Sequence, residues 1–419
     1  MEMEEMMRRV ISTLAGAVAL ALASAPGWAQ DKVIKFGFAE DFTKVYTFVT
    51  SEYNQGQRDY LALINERGGI NGHRIEATVV DTGNEPQRGI EAYERFKAEG
   101  AVLVDFLSTP VSRAVVPRAL QDGINVLTMF HGRSDAADGE TFPTVFPAGA
   151  LYWSQAAVIL KYISDQEGGN LKGKKIAFVG IDSPFGKEPL PVFEAVRDKE
   201  GFELQTFFYP SPGNEQSSTW TAVRRYRPDW VVIWGAGGGQ TVSLRDAVRN
   251  GIKLDRLLSV IWLSETDTQI VGNDAAKGVL RFEGVAYGRD NPVIKAILEE
   301  VYAKGKGAGD EKNVGSSYYN IGVASMAIVV EGVRNALEKQ GEPLTAEKLK
   351  KGLEEIKNFT AEGLLPPLTI TAQDHQGGGY GRISQWDGSK WVPKTDWIAA
   401  YQDIVMDLVK KTAAEFKKQ

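Results

Sequence analysis

Three hydroxyl side chains, Ser108, Thr109 and Ser112, follow a short apolar run at 101–104. The run contains β-branched residues and predicts a strand buried on both faces, and 113–120 has a helical pattern. Ser and Thr at the start of a helix satisfy free backbone N–H groups, and the positive end of the helix dipole also favours an anion. The pattern therefore predicts either simple helix caps or an anion-binding site at this junction.

Residues for catalysis are poorly represented. His73, His131 and His375 lack a metal-ligand spacing, and the chain contains no Cys. No Gly-x-Ser-x-Gly motif is present, and the glycines at 235–239 match neither the dinucleotide fingerprint nor a phosphate loop. We therefore predict a binding protein without enzymatic activity, metal or cofactor.

Two series of alternating strands and helices must position these residues. The first series runs over 32–130 and the second over 152–262, with Pro143, Pro147 and Gly149 between them. This alternation predicts parallel sheets with helices on both faces. We predict an α/β fold in which two doubly wound parallel-sheet lobes enclose a cleft. The remaining predicted elements are helices at 315–340, 345–357 and 396–416, and strands at 380–386 and 390–392.

Polar and aromatic residues follow the strands of both series, at the sheet edge where open α/β sheets bind ligands. The candidates are Ser108, Thr109, Phe130, His131, Gly132 and Arg133 in the first series, and Phe185, Trp234, Ser264 and Glu265 in the second. Aromatic rings beside a few convergent polar groups suit a small amphipathic solute. Plain packing is an equal alternative for Phe185 and Trp234.

Composition and the N-terminal segment predict an exported protein. The chain has 419 residues, of which 43% are hydrophobic, and its formal net charge of −6 argues against nucleic acid as a partner. Arg8 and Arg9 precede an apolar run at 10–23, and small residues follow up to Ala29. We predict a signal peptide at 1–29, cleaved before Gln30, and a periplasmic location.

The chain resembles the periplasmic solute-binding proteins of branched-chain amino-acid ABC transporters, the leucine/isoleucine/valine-binding family. The segment 59–72, which reads DYLALINERGGING, is the most specific piece of the resemblance. Further matching pieces are 81–87, 107–109, 122–124, 183–186 and 275–278. The resemblance implies a type I periplasmic-binding fold with a three-strand hinge. The implied lobes are 30–147 with 288–360, and 148–287 with 361–419.

The resemblance also implies roles for site residues. Thr109, with Ser108 beside it, corresponds to the hydroxyl that holds the ligand carboxylate in the family. Phe130 and Gly132 match a second contact made through backbone N–H groups. The remaining matches are Phe185 at a pocket tyrosine, Glu265 near the acidic ligand of the α-ammonium group, and Tyr46 near a pocket aromatic residue.

These implied roles predict a monomeric receptor for an amino acid or a related small carboxylate. Its partner would be an ABC permease in the inner membrane. The alternative is a receptor for an aromatic carboxylic acid of the benzoate or hydroxycinnamate type, for uptake or sensing. The missing hydroxyl at Phe185 and the aromatic residues Phe130, Trp153 and Trp234 leave room for that alternative. An enzyme on the same fold is the remaining possibility.

Overall fold

The computed structural model describes residues 32–418, so the predicted signal peptide at 1–29 lies outside the described residues. None of the helices within 32–418 has an apolar stretch long enough to cross a membrane. Two β-sheets organise this part of the chain.

The first sheet contains five parallel strands in the order β2-β1-β3-β4-β5. Its strands are β1 (Val33–Glu40), β2 (Arg74–Asp81), β3 (Leu103–Asp105), β4 (Asn125–Leu127) and β5 (Val145–Phe146). The second sheet contains seven strands in the order β12-β11-β10-β9-β8-β6-β7. Its strands are β6 (Lys175–Ile181), β7 (Glu203–Tyr209), β8 (Trp230–Trp234), β9 (Leu257–Ser259), β10 (Leu280–Glu283), β11 (Arg382–Trp386) and β12 (Trp391–Pro393).

Helices connect and cover both sheets. They are α1 (Thr47–Glu66), α2 (Pro86–Glu99), α3 (Thr109–Asp122), α4 (Tyr152–Gln166), α5 (Pro184–Lys187), α6 (Leu190–Glu200), α7 (Ser217–Tyr226), α8 (Gly237–Arg249), α9 (Glu265–Val271), α10 (Asn273–Ala276), α11 (Pro292–Glu300), α12 (Ser317–Gln340), α13 (Ala346–Glu354) and α14 (Gln402–Phe416). All five residues of β8 are buried, as expected for a parallel strand with helices on both faces of its sheet.

The predicted two-lobed α/β architecture is confirmed, with one addition. Strands β6 to β10 are parallel, whereas β11 pairs antiparallel with β10, and β12 pairs antiparallel with β11. We propose the lobe boundaries that the sequence predicts, because all three fall in connecting segments between regular elements. The first lobe then contains β1 to β5 with α12 and α13, and the second lobe contains β6 to β12.

The connecting segments between the lobes hydrogen-bond to one another. The Gly149 N–H donates to the carbonyl of Gln376 at 2.7 Å, and the Ala286 N–H donates to the carbonyl of Leu364 at 2.9 Å. All four residues lie between the regular elements of the two lobes. These bonds join the three crossover segments into one hinge region.

Helix α12 completes the first lobe by packing closely on α1. Gly56 and Gly322 permit this approach. A Cβ atom at Gly56 would lie 2.2 Å from the carbonyl oxygen of Tyr319, and one at Gly322 would lie 2.0 Å from that of Tyr53. Both distances are far below van der Waals contact, so only glycine fits at these two positions.

Candidate functional site

A narrow cavity, whose empty space of about 290 Å³ includes part of its opening to solvent, lies between the two lobes. The first lobe lines it with Tyr46, Phe48, Val49, Leu107, Thr109 and His131, and the second lobe lines it with Tyr152, Phe185, Ala236 and Trp262. The cleft continues outward into a larger opening that shares Tyr46, Phe48, Phe185 and Ala236 with the cavity. The cavity is therefore formed by both lobes and adjoins the outer cleft.

The lining residues follow the carboxyl ends of parallel strands. Thr109 comes after β3, His131 after β4, Phe185 after β6, Ala236 after β8 and Trp262 after β9. Carboxyl ends of parallel strands meet at one edge of a sheet, where α/β proteins bind their ligands. The two sheets thus direct these edges toward the same space.

Ser108 and Thr109 have different roles at the start of α3. The Ser108 hydroxyl accepts from the Val111 N–H at 3.3 Å and donates to Oδ1 of Asn84 at 2.7 Å, so Ser108 acts as the helix cap. Thr109 lines the cavity, and its Oγ1 accepts from the Gly132 N–H at 3.2 Å. The Thr109 hydroxyl, at a helix N-terminus, also lies within hydrogen-bonding reach of the Tyr152 hydroxyl, so a ligand acceptor would compete with Tyr152 for its hydrogen.

His131 forms the floor of the cavity beside a buried carboxylate. Its Nδ1 lies 2.9 Å from the carbonyl of Met129, so Nδ1 carries a hydrogen, and its Nε2 lies 3.8 Å from Oδ1 of Asp105. Burial lowers the pKa of His131, although the charge of Asp105 opposes this shift. The ring is therefore neutral, and its Nε2 is a buried acceptor on the side of Asp105 that has no hydrogen-bond partner among the described residues.

The second lobe supplies an aromatic wall with one hydroxyl. Nε1 of Trp262 donates to the Tyr152 hydroxyl oxygen at 2.9 Å, and the Tyr152 ring packs 5.3 Å from the Phe185 ring. Burial raises the pKa of Tyr152 well above its ordinary value, so this hydroxyl stays protonated. Tyr152 thus adds a second neutral donor to the cavity.

Glu265 is directed away from this space. Its Oε1 accepts from the Ser317 N–H at 2.9 Å, and its Oε2 accepts from the Ser317 hydroxyl at 2.6 Å. Within residues 32–418, the side chains that line the cavity include no Asp, Glu, Lys or Arg. The lining of the cavity is therefore uncharged and mostly apolar. The lining residues with polar side-chain groups include Thr109, His131, Tyr152 and Tyr46.

A family model described as periplasmic binding protein matches residues 33–390. The chain belongs to the periplasmic binding protein family. The family resemblance inferred from the sequence is thereby confirmed.

The similarity of this periplasmic binding protein to known proteins extends over nearly its whole length. It is 23% identical over 389 residues to the Leu/Ile/Val-binding protein homolog 3 of Brucella melitensis, covering 92% of this chain and 98% of the relative. A crystal structure from the Pseudomonas fluorescens group, described as an ABC transporter permease, is 35% identical with a TM-score of 0.86, covering 93% of this chain and 97% of the other.

Two more distant structures share the fold and carry different ligands. A branched-chain amino acid ABC transporter protein from Thermus thermophilus with bound valine is 20% identical, with a TM-score of 0.78 and coverage of 90% and 99%. An ABC transporter solute-binding protein from R. palustris in complex with benzoate is 17% identical, with a TM-score of 0.71 and coverage of 88% and 98%. At these identities the similarity establishes the fold alone.

Several aromatic residues singled out in the sequence lie outside the cavity lining of this periplasmic binding protein. The Phe130 ring packs on Gly149 and Gly284, next to the hinge. Trp234 packs 6.1 Å from Phe178, beneath the cavity wall. Nε1 of Trp153 donates to the Glu188 carbonyl at 2.7 Å. These rings support the walls of the cavity from behind.

Sequence reasoning missed six of the lining residues. They are Phe48, Val49, Leu107, Tyr152, Ala236 and Trp262. Trp262 and Ala236 follow strands of the second sheet, so position after a strand was an available signal for both. Phe48 and Val49 belong to the first turn of α1, and their apolar side chains carry no such signal.

Two buried carboxylates end the neighbouring strands β3 and β1, and the first of them, Asp105, lies beside His131. Asp105 accepts from the Tyr53 hydroxyl at 2.6 Å and from Nε2 of Gln57 at 3.0 Å. Glu40 ends the neighbouring strand and is fully buried. Burial, and after it the charge of Asp105, raises the pKa of Glu40 well above its ordinary value of 4.5. Folding therefore favours the protonated form of Glu40.

Replacing Glu40 with glutamine is expected to stabilise the protein at about pH 7.5 and to have little effect below about pH 4.5. The raised pKa makes the folded state bind more protons than the unfolded state above pH 4.5. This carboxyl's contribution to stability is thus present at low pH and is lost as the pH rises toward the raised pKa. Urea unfolding of wild type and Glu40→Gln over a pH series measures the effect.

The exposed Glu76 on β2 provides a matched control for this substitution. Glu76→Gln should follow the wild-type pH profile. A Glu40→Gln variant that is no more stable than wild type at about pH 7.5 would contradict the prediction.

Proposed function

We propose that this protein is the solute-binding component of an ABC importer, and that it closes on a small carboxylate with an apolar, aromatic body. The observation that carries this proposal is the cavity between the lobes. It places the Thr109 hydroxyl and the start of α3 at one side of an otherwise aromatic and aliphatic enclosure.

The carboxylate end of the ligand fits the first lobe. The N-terminus of α3 carries a partial positive charge, and an anion there is stabilised by the helix dipole and by hydroxyl donors. Thr109 and Tyr152 supply neutral donors, and the Gly132 N–H lies beside Thr109. A charge-assisted hydrogen bond to a carboxylate is about twice as strong as a neutral one.

The lining favours an acid without an ammonium group. An amino acid would bring a positive charge into a cavity whose lining side chains are uncharged within the described residues. An unpaired ammonium in such surroundings costs several kcal/mol. Five lining residues are aromatic: Tyr46, Phe48, Tyr152, Phe185 and Trp262. These surfaces suit a ring or another apolar body.

A branched-chain or aromatic amino acid is the second candidate. The relative from Brucella melitensis is named for Leu, Ile and Val, and the Thermus thermophilus structure contains valine. Glu265 lies only three residues after the lining residue Trp262. It would have to exchange its bonds to Ser317 for the ligand ammonium.

The cellular setting follows from the family and from the N-terminal sequence. We propose a monomer that is exported to the periplasm after cleavage near Ala29 and Gln30, and that delivers its solute to a permease in the inner membrane. The neutral cavity supports binding without a chemical step. A requirement for the neighbouring permease in uptake of the solute would separate transport from sensing.

Two pairs of compounds that differ in the α-ammonium group test the ligand class. 3-Phenylpropionate and 4-methylpentanoate are expected to raise the melting temperature, whereas phenylalanine and leucine are not. A ligand present at 100 times its Kd stabilises the folded state by about 2.7 kcal/mol. Benzoate and 4-hydroxycinnamate extend the series, and benzamide serves as the control without a carboxylate.

Three outcomes of this series are decisive. Stabilisation by the acids alone supports the proposed ligand class. Stronger stabilisation by phenylalanine or leucine than by the deaminated acids would assign the protein to amino acids. No stabilisation by any of these carboxylates, or equal stabilisation by benzamide and benzoate, would overturn the carboxylate proposal.

A further inference from the structure

Two buried carboxylates of the second lobe accept hydrogen bonds from backbone N–H groups of the first lobe. One belongs to Glu265, at the start of α9, and the other to Glu188, just after α5. Their side chains are absent from the cavity lining. Both are at least 90% buried. They therefore connect the lobes at points that the ligand does not occupy.

The Glu265 contact is made with the first residue of α12. Both oxygens of Glu265 accept from Ser317, one from its N–H at 2.9 Å and one from its hydroxyl at 2.6 Å. The Ser317 hydroxyl accepts in turn from Nη1 of Arg281 at 2.8 Å. The first N–H groups of a helix lack intrahelical partners, and the helix dipole attracts a negative charge there. Glu265 thus provides a hydrogen-bond acceptor for a backbone N–H group at the start of a 24-residue helix in the other lobe.

The next residue of α12 holds the cavity wall itself. The Tyr318 hydroxyl donates to the carbonyl of Trp262 at 2.9 Å. Since the Trp262 side chain lines the cavity, this bond ties the wall of the second lobe to a helix of the first. The contact at Ser317 and the contact at Tyr318 therefore act on the same side of the cleft.

The Glu188 contact involves α3 and the turn that follows β4. Oε1 of Glu188 accepts from the Ser134 N–H at 2.8 Å, and Oε2 pairs with Nη2 of Arg113. Nε1 of Trp153 donates to the Glu188 backbone carbonyl and fixes this residue in the second lobe. Burial raises the pKa of Glu188, and Arg113 opposes this shift. The carboxylate is thus desolvated and is compensated by groups of the first lobe.

We propose that Glu188 and Glu265 are positioning residues that hold the two lobes together independently of the ligand, and so set the fraction of free protein that is closed. This inference rests on the proposed function only for closure around a solute, and not for the identity of that solute. The apparent Kd of any ligand equals its intrinsic Kd divided by the closed fraction. Weakening these contacts should therefore raise the Kd of every ligand by the same factor.

Small-angle X-ray scattering of the protein without added ligand tests the proposal directly. The double variant Glu188→Gln with Glu265→Gln is expected to have a larger radius of gyration than wild type. Glutamine keeps the size of the side chain but removes the charge that the Ser317 and Ser134 N–H groups and Arg113 neutralise. Glu194→Gln, on an exposed position of α6, is the matched control and should scatter like wild type.

Calorimetry with 3-phenylpropionate and with phenylalanine supplies the second readout. Each single variant is expected to raise the Kd of whichever probe binds about tenfold, with the same factor for both where both bind. An increase at Glu265→Gln that is confined to phenylalanine would make Glu265 the ammonium ligand and overturn its part in the proposal. Scattering curves of the double variant that match wild type would overturn the proposal as a whole.

The partner residues keep the test decisive if a glutamate variant misfolds. Arg113→Gln and Ser317→Ala alter the same two contacts from the first lobe, and far-UV circular dichroism verifies their folding. Both variants should also increase the radius of gyration of the ligand-free protein. Unchanged scattering from both would contradict the proposal. If none of the probes binds, the ligand class fails while the scattering comparison still decides the role of Glu188 and Glu265.

Discussion

Replacing Thr109 with valine is expected to weaken the binding of 3-phenylpropionate or benzoate by about 10- to 100-fold. Valine keeps the shape of the side chain but removes the hydroxyl that donates to the ligand carboxylate. A hydrogen bond to a charged group contributes about 1.5–3 kcal/mol, which corresponds to a change of this size. Thr109→Val also removes the acceptor of the Gly132 N–H. Isothermal titration calorimetry measures the loss.

Thr144 is a suitable control for this substitution. It is buried in the first lobe, lies outside the cavity lining, and its hydroxyl makes only a long bond of 3.5 Å to the Ala119 carbonyl. Thr144→Val should leave the Kd within about twofold of wild type. If Thr109→Val binds as tightly as Thr144→Val, the carboxylate does not lie at the start of α3.

Replacing Gly322 with alanine is expected to lower the free energy of unfolding by about 1–3 kcal/mol. The added Cβ atom would lie 2.0 Å from the Tyr53 carbonyl oxygen and 3.1 Å from the Gln57 nitrogen, both in the backbone of α1. Backbone atoms of a helix cannot rotate away, so α12 must shift. Because Ser317 begins α12, the shift should also disturb the contact with Glu265.

Urea unfolding of the ligand-free protein measures this loss, and Gly238→Ala is the control. Gly238 also lies in a helix, α8, but a Cβ atom there would have no other atom within 4 Å. Alanine should therefore be neutral or slightly stabilising at this position, because it loses less backbone entropy than glycine on folding. Equal stability of the Gly322 and Gly238 variants would show that α1 and α12 tolerate a wider separation.

The alternation of buried strands and amphipathic helices allowed most of the fold to be predicted. Element ends were less accurate where capping or tertiary contacts decide them. Helix α3 begins at Thr109, four residues before the predicted start at 113, because Ser108 caps it. Helix α1 begins at Thr47. Its first turn contains β-branched residues of low helix propensity, and tertiary packing overrides that preference.

The candidate site was predictable where position after a strand decides it. Thr109, His131 and Phe185 follow strands, and all three line the cavity. Trp153 shows the limit of such reasoning. Adjacent residues on a helix project about 100° apart, so Tyr152 lines the cavity while Trp153 binds the carbonyl of Glu188.

The direction of Glu265 depends on a partner that is remote in sequence. Ser317, which occupies the Glu265 carboxylate, lies 52 residues further along the chain and in the other lobe. A spacing pattern around Glu265 holds no information about such a contact. The family resemblance placed this side chain near a ligand ammonium, and that role stays a prediction that the variant series above tests.

The packing of α12 on α1 has a consequence for how the chain acquires its structure. The Tyr319 hydroxyl donates to Asp59 at 2.8 Å across a separation of 260 residues. Closing so long a loop is entropically costly, and the contact forms only after the whole second-lobe series between them has been synthesised. A nascent chain therefore lacks the cover of α12 over α1 throughout that interval, and so does a fragment that ends at residue 147.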